Sequence, residues 1–309
     1  MEVLENGFNP TSAKNCGIGL GNFDGLHRGH MALINTLLNE CRIHDLNSVV
    51  YTFKKHPENI LRKKLFTPLI MTMDHKIRCL DKAGVETLYL QEFDEGFSHI
   101  SAEDFIKEIL VGKMRIKLAV IGFNFRFGYM CKGDSELLKK LGKIYGFKVI
   151  VIPPVRVRGE TASSTLIRQY IMKGKMEKAY DLLGRNFSVP GKVITGKKIG
   201  RTMGFPTANL IPEKYLVMPA PGVYITRTLY QGQWYKSVTN VGMSPTLKKE
   251  QEVTLETHMI GFDGELYGKD IEVFFIKKLR NEKKFDKRED LINQIKMDIE
   301  KAGKYFIPV

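Results

Sequence analysis

Gly19-Leu-Gly-Asn-Phe-Asp-Gly-Leu-His-Arg-Gly-His30 decides how the first half of the chain folds. It stands where an apolar run, Cys16 to Gly21, gives way to a helical pattern, Met31 to Arg42, so it reads as a strand-to-helix turn. Backbone N–H groups at a helix start have no intrahelical partner, and the helix dipole makes that end positive, so such a turn suits a phosphate. Two histidines, His27 and His30, join that anion site. The glycines at 17, 19 and 21 lack the GxGxxG spacing of a dinucleotide loop, and no Walker lysine follows.

The same alternation continues outward. Ser48 to Phe53, Thr87 to Leu90, Leu118 to Gly122 and Lys148 to Ile152 read as further strands, with helices in the gaps. Ser101 to Lys113 and Ser135 to Tyr145 have helical spacing, and Ser101 with Asp104 resembles a capping box. This order predicts an α/β domain with a doubly wound parallel sheet, whose ligands lie beyond the carboxyl ends of its strands. Two helices should follow Ser163 and end at Leu183-Gly184, where glycine suits a helix C-terminus.

The texture then changes. From Phe187 to Ile276, glycine, proline, β-branched and aromatic residues dominate, with strand-like runs SVPGKVI, GVYITRTLY, WYKSVTNV and IEVFFIKKL. A compact antiparallel barrel is expected there, closed by an amphipathic helix, Asp290 to Ala302, with Leu291, Ile292, Ile295 and Ile299 as its apolar stripe. The expected domains are residues 1–184 and 185–309.

Composition narrows the function classes. The 309 residues include 48 basic and 34 acidic ones, a formal charge of +14 that favours anions such as nucleotides, phosphates or nucleic acid. Most lysines read as solvated faces. No apolar stretch is long enough to span a bilayer, and MEVLENGFNP lacks a basic region followed by an apolar one, so neither membrane nor export is expected. The four cysteines, Cys16, Cys41, Cys79 and Cys131, form no CxxC pair, which fits the reducing cytosol.

His27-x-Gly-His30 is similar to the HxGH signature of the nucleotidylyltransferases. A second element, Ser163-Ser-Thr-Leu-Ile-Arg168, puts hydroxyls and an arginine at a helix start, a chemistry suited to a triphosphate. With Thr52-Phe-Lys-Lys-His-Pro57 and Gly122-Phe-Asn-Phe-Arg-Phe-Gly128, these resemble the FMN adenylyltransferase domain of the bacterial bifunctional riboflavin kinase/FAD synthetase family. That family commonly carries aspartate at the position of Asn124 and often arginine at that of Lys132. The resemblance implies that FMN phosphate attacks the α-phosphate of ATP and expels pyrophosphate. It assigns His27, His30 and Arg168 to charge stabilisation, Gly21, Phe23, Asp24, Gly29, Ser163, Ser164 and Thr165 to ATP, and His56, Pro57, Asn124, Phe125 and Arg126 to the flavin.

In the second half, Gly191-Lys-Val-Ile-Thr-Gly-Lys-Lys198 nearly spells a P-loop, but Lys198 replaces the Ser/Thr and no helix follows. Its continuation, Gly196-Lys-Lys-Ile-Gly-Arg-Thr-Met-Gly-Phe-Pro-Thr-Ala-Asn209, resembles the riboflavin kinase signature of the same family. The later segments Asn240 to Thr246, Glu256 to Gly268 and Leu279 to Phe285 match in order, with Ser244 where many relatives carry arginine. The resemblance implies that Glu256 is the base that deprotonates a primary hydroxyl and that Thr207 ligates Mg2+. It gives ATP to Gly196, Lys197, Gly200, Gly204 and Asn209, under a covering loop from Gly196 to Gly204, and the flavin to Arg280 and Phe285. The expected partners are riboflavin, FMN, FAD, ATP, ADP and pyrophosphate. Two rivals stay open: an enzyme with one live activity, and, less favoured because no arginine-rich arm is present, a basic nucleic-acid-binding protein.

Overall fold

The computed structural model describes residues 1–5, 15–61, 66–196, 200, 203–245 and 251–305. It divides into two compact units, Met1–Thr67 with Thr72–Ser164, and Pro68–Met71 with Thr165–Val309.

The first unit runs β1 (Glu2–Glu5), β2 (Cys16–Leu20), α1 (Arg28–Ile43), β3 (Asn47–Phe53), α2 (Pro57–Leu61), α3 (Met73–Ala83), β4 (Thr87–Gln91), α4 (Glu95–Ser98) and α5 (Ala102–Asp104), which continues as π-helical turns over Phe105–Lys113. Then come β5 (Ile116–Gly122), α6 (Ser135–Tyr145), β6 (Lys148–Ile152) and a small hairpin of β7 (Arg156–Val157) and β8 (Glu160–Thr161). The expected parallel sheet is present, in the order β1-β4-β3-β2-β5-β6. β2 and β3 are buried on both faces, which is why they read as continuous apolar runs rather than alternations. The chain builds β3 and β4 on one side of β2 and β5 and β6 on the other, so the switch point lies between β2 and β5. α1 packs closely on β2 at Gly19, where a Cβ would stand 3.1 Å from Leu33 and 3.2 Å from Leu37 and would press on both side chains.

Helix ends follow the sequence. Ser101 Oγ accepts from the Asp104 N–H at 3.0 Å, and its hydroxyl donates to the Asp104 carboxylate at 2.7 Å, a variant of the expected capping box. Thr72 caps α3 by accepting from the His75 N–H, a contact worth about 1 kcal/mol.

The second unit holds most of α7 (Ser164–Met172), all of α8 (Met176–Leu183), and β9 (Phe187–Ile194), β10 (Ala208–Leu210), β11 (Gly222–Tyr230), β12 (Gln233–Pro245), β13 (Gln251–Met259) and β14 (Asp270–Arg280). α8 ends at Gly184, whose φ of +78° is a left-handed conformation that glycine adopts without strain. It packs against β14, where Lys277 Nζ lies 3.0 Å from Glu177. The six strands close into the expected antiparallel barrel, in the order β10-β13-β12-β11-β14-β9. The C-terminal helix, Arg288–Tyr305, follows. Part of the barrel's buried surface is polar. Thr226, Thr228, Ser237, Thr239 and Thr257 are all shut off from water and bond one to the next at 2.8–2.9 Å. Among the described residues, no helix is long and apolar enough to cross a membrane.

Candidate functional site

Three neighbouring strands of the first unit end in candidate site segments. β2 leads into Gly21–His30, β3 into His56-Pro57, and β5 into Phe123–Gly128. The β2 loop is strained: Phe23 and Leu26 have φ of 47° and 38°, and Gly25 has 84°. Each non-glycine residue in that region costs on the order of 1–2 kcal/mol, so the loop must be held. Lys76 Nζ donates to the Asn22 carbonyl at 2.9 Å, and Thr52 Oγ1 donates to the same oxygen at 3.0 Å. Ser164 Oγ donates to the Asp24 carbonyl at 2.9 Å, and the Phe23 ring is fully buried. Burial pushes the Lys76 ammonium down to about 8 even though the Asp24 carboxylate favours its charge.

The histidines stand at the mouth of this loop. His27 is the N-cap of α1, its Nδ1 accepting from the His30 N–H at 3.3 Å. That role puts the proton of the neutral ring on Nε2, as a donor. The two imidazoles stack with centroids 3.6 Å apart, and Phe23 meets His30 edge-on at 5.3 Å. A Cβ on Gly29 would stand 3.1 Å from the His27 ring, which explains why the residue before the second histidine is glycine. Gly21, Phe23, Asp24, Gly29 and Ser164 therefore gather around the histidine pair. Ser163 is half-buried beside Ser164, whereas Thr165 and Arg168 lie on the part of α7 that belongs to the second unit.

His56 precedes α2, its carbonyl accepting from the Asn59 N–H at 3.0 Å, and Pro57 opens that helix, where a missing N–H does no harm. Beyond β5, the Phe125 N–H donates to the Gly122 carbonyl at 3.1 Å, turning the segment that carries Asn124, Phe125 and Arg126, and Phe127 and Gly133 then bond each other's backbone in both directions. The Phe125 and Phe127 rings stack at 5.5 Å, and Arg126 pairs with Asp134 at 3.3 Å on the surface. Asn124 and Arg126 are exposed.

Among the described residues, two cavities of the barrel bear on the site. One of about 370 Å3 is lined by Gly196, Thr207, Asn209, Thr257, Asp263 and Tyr267. The other, of about 290 Å3, is lined by Thr207, Asn240, Glu256, His258, Arg280 and Phe285. Thr207 borders both. Glu256 stands opposite Asn209 of β10 and Asn240 of β12, and residues directly opposite in an antiparallel ladder share a face. Gly196 lies so close to Asn209 that a Cβ would collide with its amide. Gly200 accepts backbone N–H bonds from Met203 and Phe205, and Gly204 takes a φ of +86°. Lys197 lies outside the described residues.

Arg280 reaches the second cavity with its guanidinium engaged: Nε and Nη2 both meet Asp298 Oδ2 at 2.9 Å, and Nη1 donates to the Asn281 carbonyl. Asp298, buried on the C-terminal helix, also accepts from Gln294. The apolar stripe of that helix serves the cavity rather than the core, since Leu291, Ile295 and Ile299 line it and stay half-buried. Sequence reasoning missed Lys76, Asn240, His258 and Asp298. For His258 a signal existed, because two steps from Glu256 along a strand returns to the same face.

Comparison with known proteins gives two family matches along the chain. Residues 9–166 match the FAD synthetase family and residues 183–306 the riboflavin kinase family. The bifunctional riboflavin kinase/FMN adenylyltransferase of Buchnera aphidicola subsp. Acyrthosiphon pisum is 38% identical over 93% of this chain and 92% of its own length. Its namesake in Escherichia coli K12 is 36% identical over 94% and 93%. A crystal structure from Streptococcus pneumoniae, titled a macrolide-efflux protein, superposes with a TM-score of 0.88 at 32% identity, covering 97% of this chain and 98% of that one. With both family matches present in this order and relatives aligned nearly end to end, the chain belongs to the bifunctional riboflavin kinase/FMN adenylyltransferase family.

Proposed function

We propose that the barrel phosphorylates riboflavin to FMN with ATP, and that the first unit joins FMN to the adenylyl group of ATP, giving FAD and pyrophosphate. The observation that carries the reading is Thr207, which borders both barrel cavities while Glu256 lines one of them. A nucleotide in the larger cavity and a flavin in the smaller would bring the γ-phosphate and the ribityl hydroxyl to the same threonine. Glu256 takes the hydroxyl proton, and Asn209 and Asn240, on its face, orient carboxylate and substrate. The donors there, Thr207, Asn209 and Glu256, are oxygens suited to a hard cation, so Thr207 would hold Mg2+ together with the phosphates. When bound, Mg2+ supplies charge neutralisation at the β- and γ-phosphates. Gly196, Lys197, Gly200 and Gly204 shield the nucleotide, and Phe285 bounds the flavin.

In the first unit no protein nucleophile is required, because the FMN phosphate is already an anion. The protein positions it and neutralises charge. His27 and His30 donate to the transferring phosphate. Gly21, Phe23, Asp24 and Gly29 shape the loop under it, Ser163, Ser164, Thr165 and Arg168 take the triphosphate, and His56, Pro57, Asn124, Phe125 and Arg126 form the flavin side. We place the enzyme in the cytosol, in keeping with its four unbridged cysteines.

A chromatographic time course with riboflavin, ATP and Mg2+ tests this. Wild type yields FMN and then FAD. Glu256→Ala loses FMN formation but converts supplied FMN, and His30→Ala stops at FMN, with adenylyl transfer reduced by about 10²–10³-fold, the usual loss when one transition-state donor is removed. Wild type that makes only one product leaves a single live activity, and one that makes neither overturns the assignment.

A further inference from the structure

The turn that carries Thr207 is fastened to the barrel where the backbone cannot fasten it. The ladder between β10 and β13 pairs Leu210 with Leu255, Asn209 with Glu256 and Ala208 with Thr257, and there it stops. Pro206, two residues earlier, has no N–H to donate, so the ladder cannot extend through it. A side chain takes over: His258 Nδ1 lies 2.8 Å from the Pro206 carbonyl oxygen. The Phe205 ring meets the same imidazole edge-on, at 6.0 Å and 87°. The turn itself is tight, with the Gly200 carbonyl accepting from Met203 and Phe205, and a Cβ on Gly200 would stand 3.4 Å from Thr207 Oγ1.

A carbonyl oxygen only accepts, so Nδ1 carries a proton in this bond. We propose that His258 is a positioning residue for phosphoryl transfer: its Nδ1–H, bonded to the Pro206 carbonyl, sets Thr207 at the height along β13 where Glu256 and the cation-bearing phosphates meet. His258 stands two residues from Glu256 on one strand and lines the same cavity, so a single rigid strand carries the base and holds the turn. This rests on the reading of Thr207 as a cation ligand.

The two ring nitrogens can be told apart by substitution, since an asparagine amide N–H stands near Nδ1 and a glutamine amide N–H near Nε2. The full-length protein is compared as wild type, His258→Ala, His258→Asn, His258→Gln and Thr207→Val. Riboflavin binding, read by quenching of flavin fluorescence, shows which variants keep the cavity. The readouts are the Mg2+ concentration for half-maximal FMN formation, the KM for riboflavin, and hydrogen exchange of peptides covering residues 200–210 in the presence of Mg2+ and ADP.

His258→Ala and His258→Gln should raise the half-saturating Mg2+ by roughly 3- to 10-fold, the worth of one hydrogen bond, and speed exchange in the turn. Because His258 also lines the flavin cavity, riboflavin KM should shift in all three His258 variants, whereas His258→Asn alone should restore the Mg2+ dependence and the exchange. If His258→Ala misfolds, the Asn and Gln variants decide. Equal Mg2+ dependence and exchange in the Asn and Gln variants, or unchanged Mg2+ dependence and exchange in His258→Ala while Thr207→Val shifts the Mg2+ dependence, overturns the positioning role alone. Unchanged Mg2+ dependence in Thr207→Val overturns the reading of Thr207, and the positioning role with it.

Discussion

The two units bury polar groups in opposite ways. Beneath the Gly21–His30 loop of the first unit lies a buried cation, Lys76, with the loop carbonyl of Asn22 as acceptor and the Asp24 carboxylate as its nearby opposite charge. The barrel instead buries a row of uncharged hydroxyls, Thr228, Ser237, Thr226, Thr239 and Thr257, each bonded to the next. A largely buried ion pair, Arg280 with Asp298, ties β14 to the C-terminal helix. A charge can clamp a strained loop through a single contact, but it makes the clamp depend on pH. A hydroxyl row is weaker per bond and indifferent to pH.

The comparison breaks most visibly at Asp298. Asp298→Ala leaves the Arg280 guanidinium, itself only 23% exposed, without its carboxylate and takes an acceptor from Gln294. Removing one partner of a buried pair costs roughly 3–5 kcal/mol. The barrel carries the only tryptophan, Trp234, packed on Phe274. Urea unfolding followed by its fluorescence therefore reads this unit, and should show the unfolding free energy falling by that amount and the midpoint falling with it. A midpoint within experimental error of wild type would mean that the helix is held by its apolar stripe alone.

Lys76 gives the next largest effect, and it has a sign. The group titrates near 10.5 unfolded and near 8 folded. Below pH 8 both states carry the proton, and the folded state bears the full cost of burying it. Between pH 8 and 10.5 the folded amine is neutral while the unfolded one still binds a proton, so stability rises with pH, by about 3 kcal/mol over the window. Lys76→Met should lack this rise. Hydrogen exchange of α3 and of β2, in wild type minus variant, checks it. A flat difference between pH 8 and 10.5 would show that Asp24 holds the ammonium charged in the fold.

How legible these features were follows from the same contrast. The strand-helix alternation could be read from apolar runs and helical spacing, the barrel's strands from their β-branched and aromatic content, and the HxGH turn from its residues. β1 escaped because it is a four-residue edge strand with glutamate at both ends. In WYKSVTNV the alternation misleads about its faces: Val238 reads as core but lines the smaller cavity, whereas Ser237 and Thr239 read as surface and are fully buried. In the C-terminal helix, Leu291, Ile295 and Ile299 face a cavity while Asp298 is buried. Periodicity shows that a strand or helix has two faces. It does not say which face meets a ligand, because a ligand cavity takes apolar residues as readily as a core does.

The smallest effect tests whether the hydroxyl row acts as a unit. Thr239 sits at its centre, bonded to Thr226 at 2.8 Å and to Thr257 at 2.9 Å, and Thr257 in turn lines the larger cavity. Thr239→Val preserves shape but takes a partner from both neighbours, an expected cost of about 1–3 kcal/mol, whereas Thr239→Ser keeps the oxygen and should lose less. Thr257→Val removes the group that Thr239→Val leaves short of a bond, so the double variant should be less destabilised than the sum of the singles. Trp234 fluorescence reads wild type and all four variants in urea, and unlike the Lys76 effect these differences should not change between pH 8 and 10.5. Strict additivity would reduce the row to separate contacts, and a pH-dependent difference would mean that a charged group reaches it through the barrel mouth.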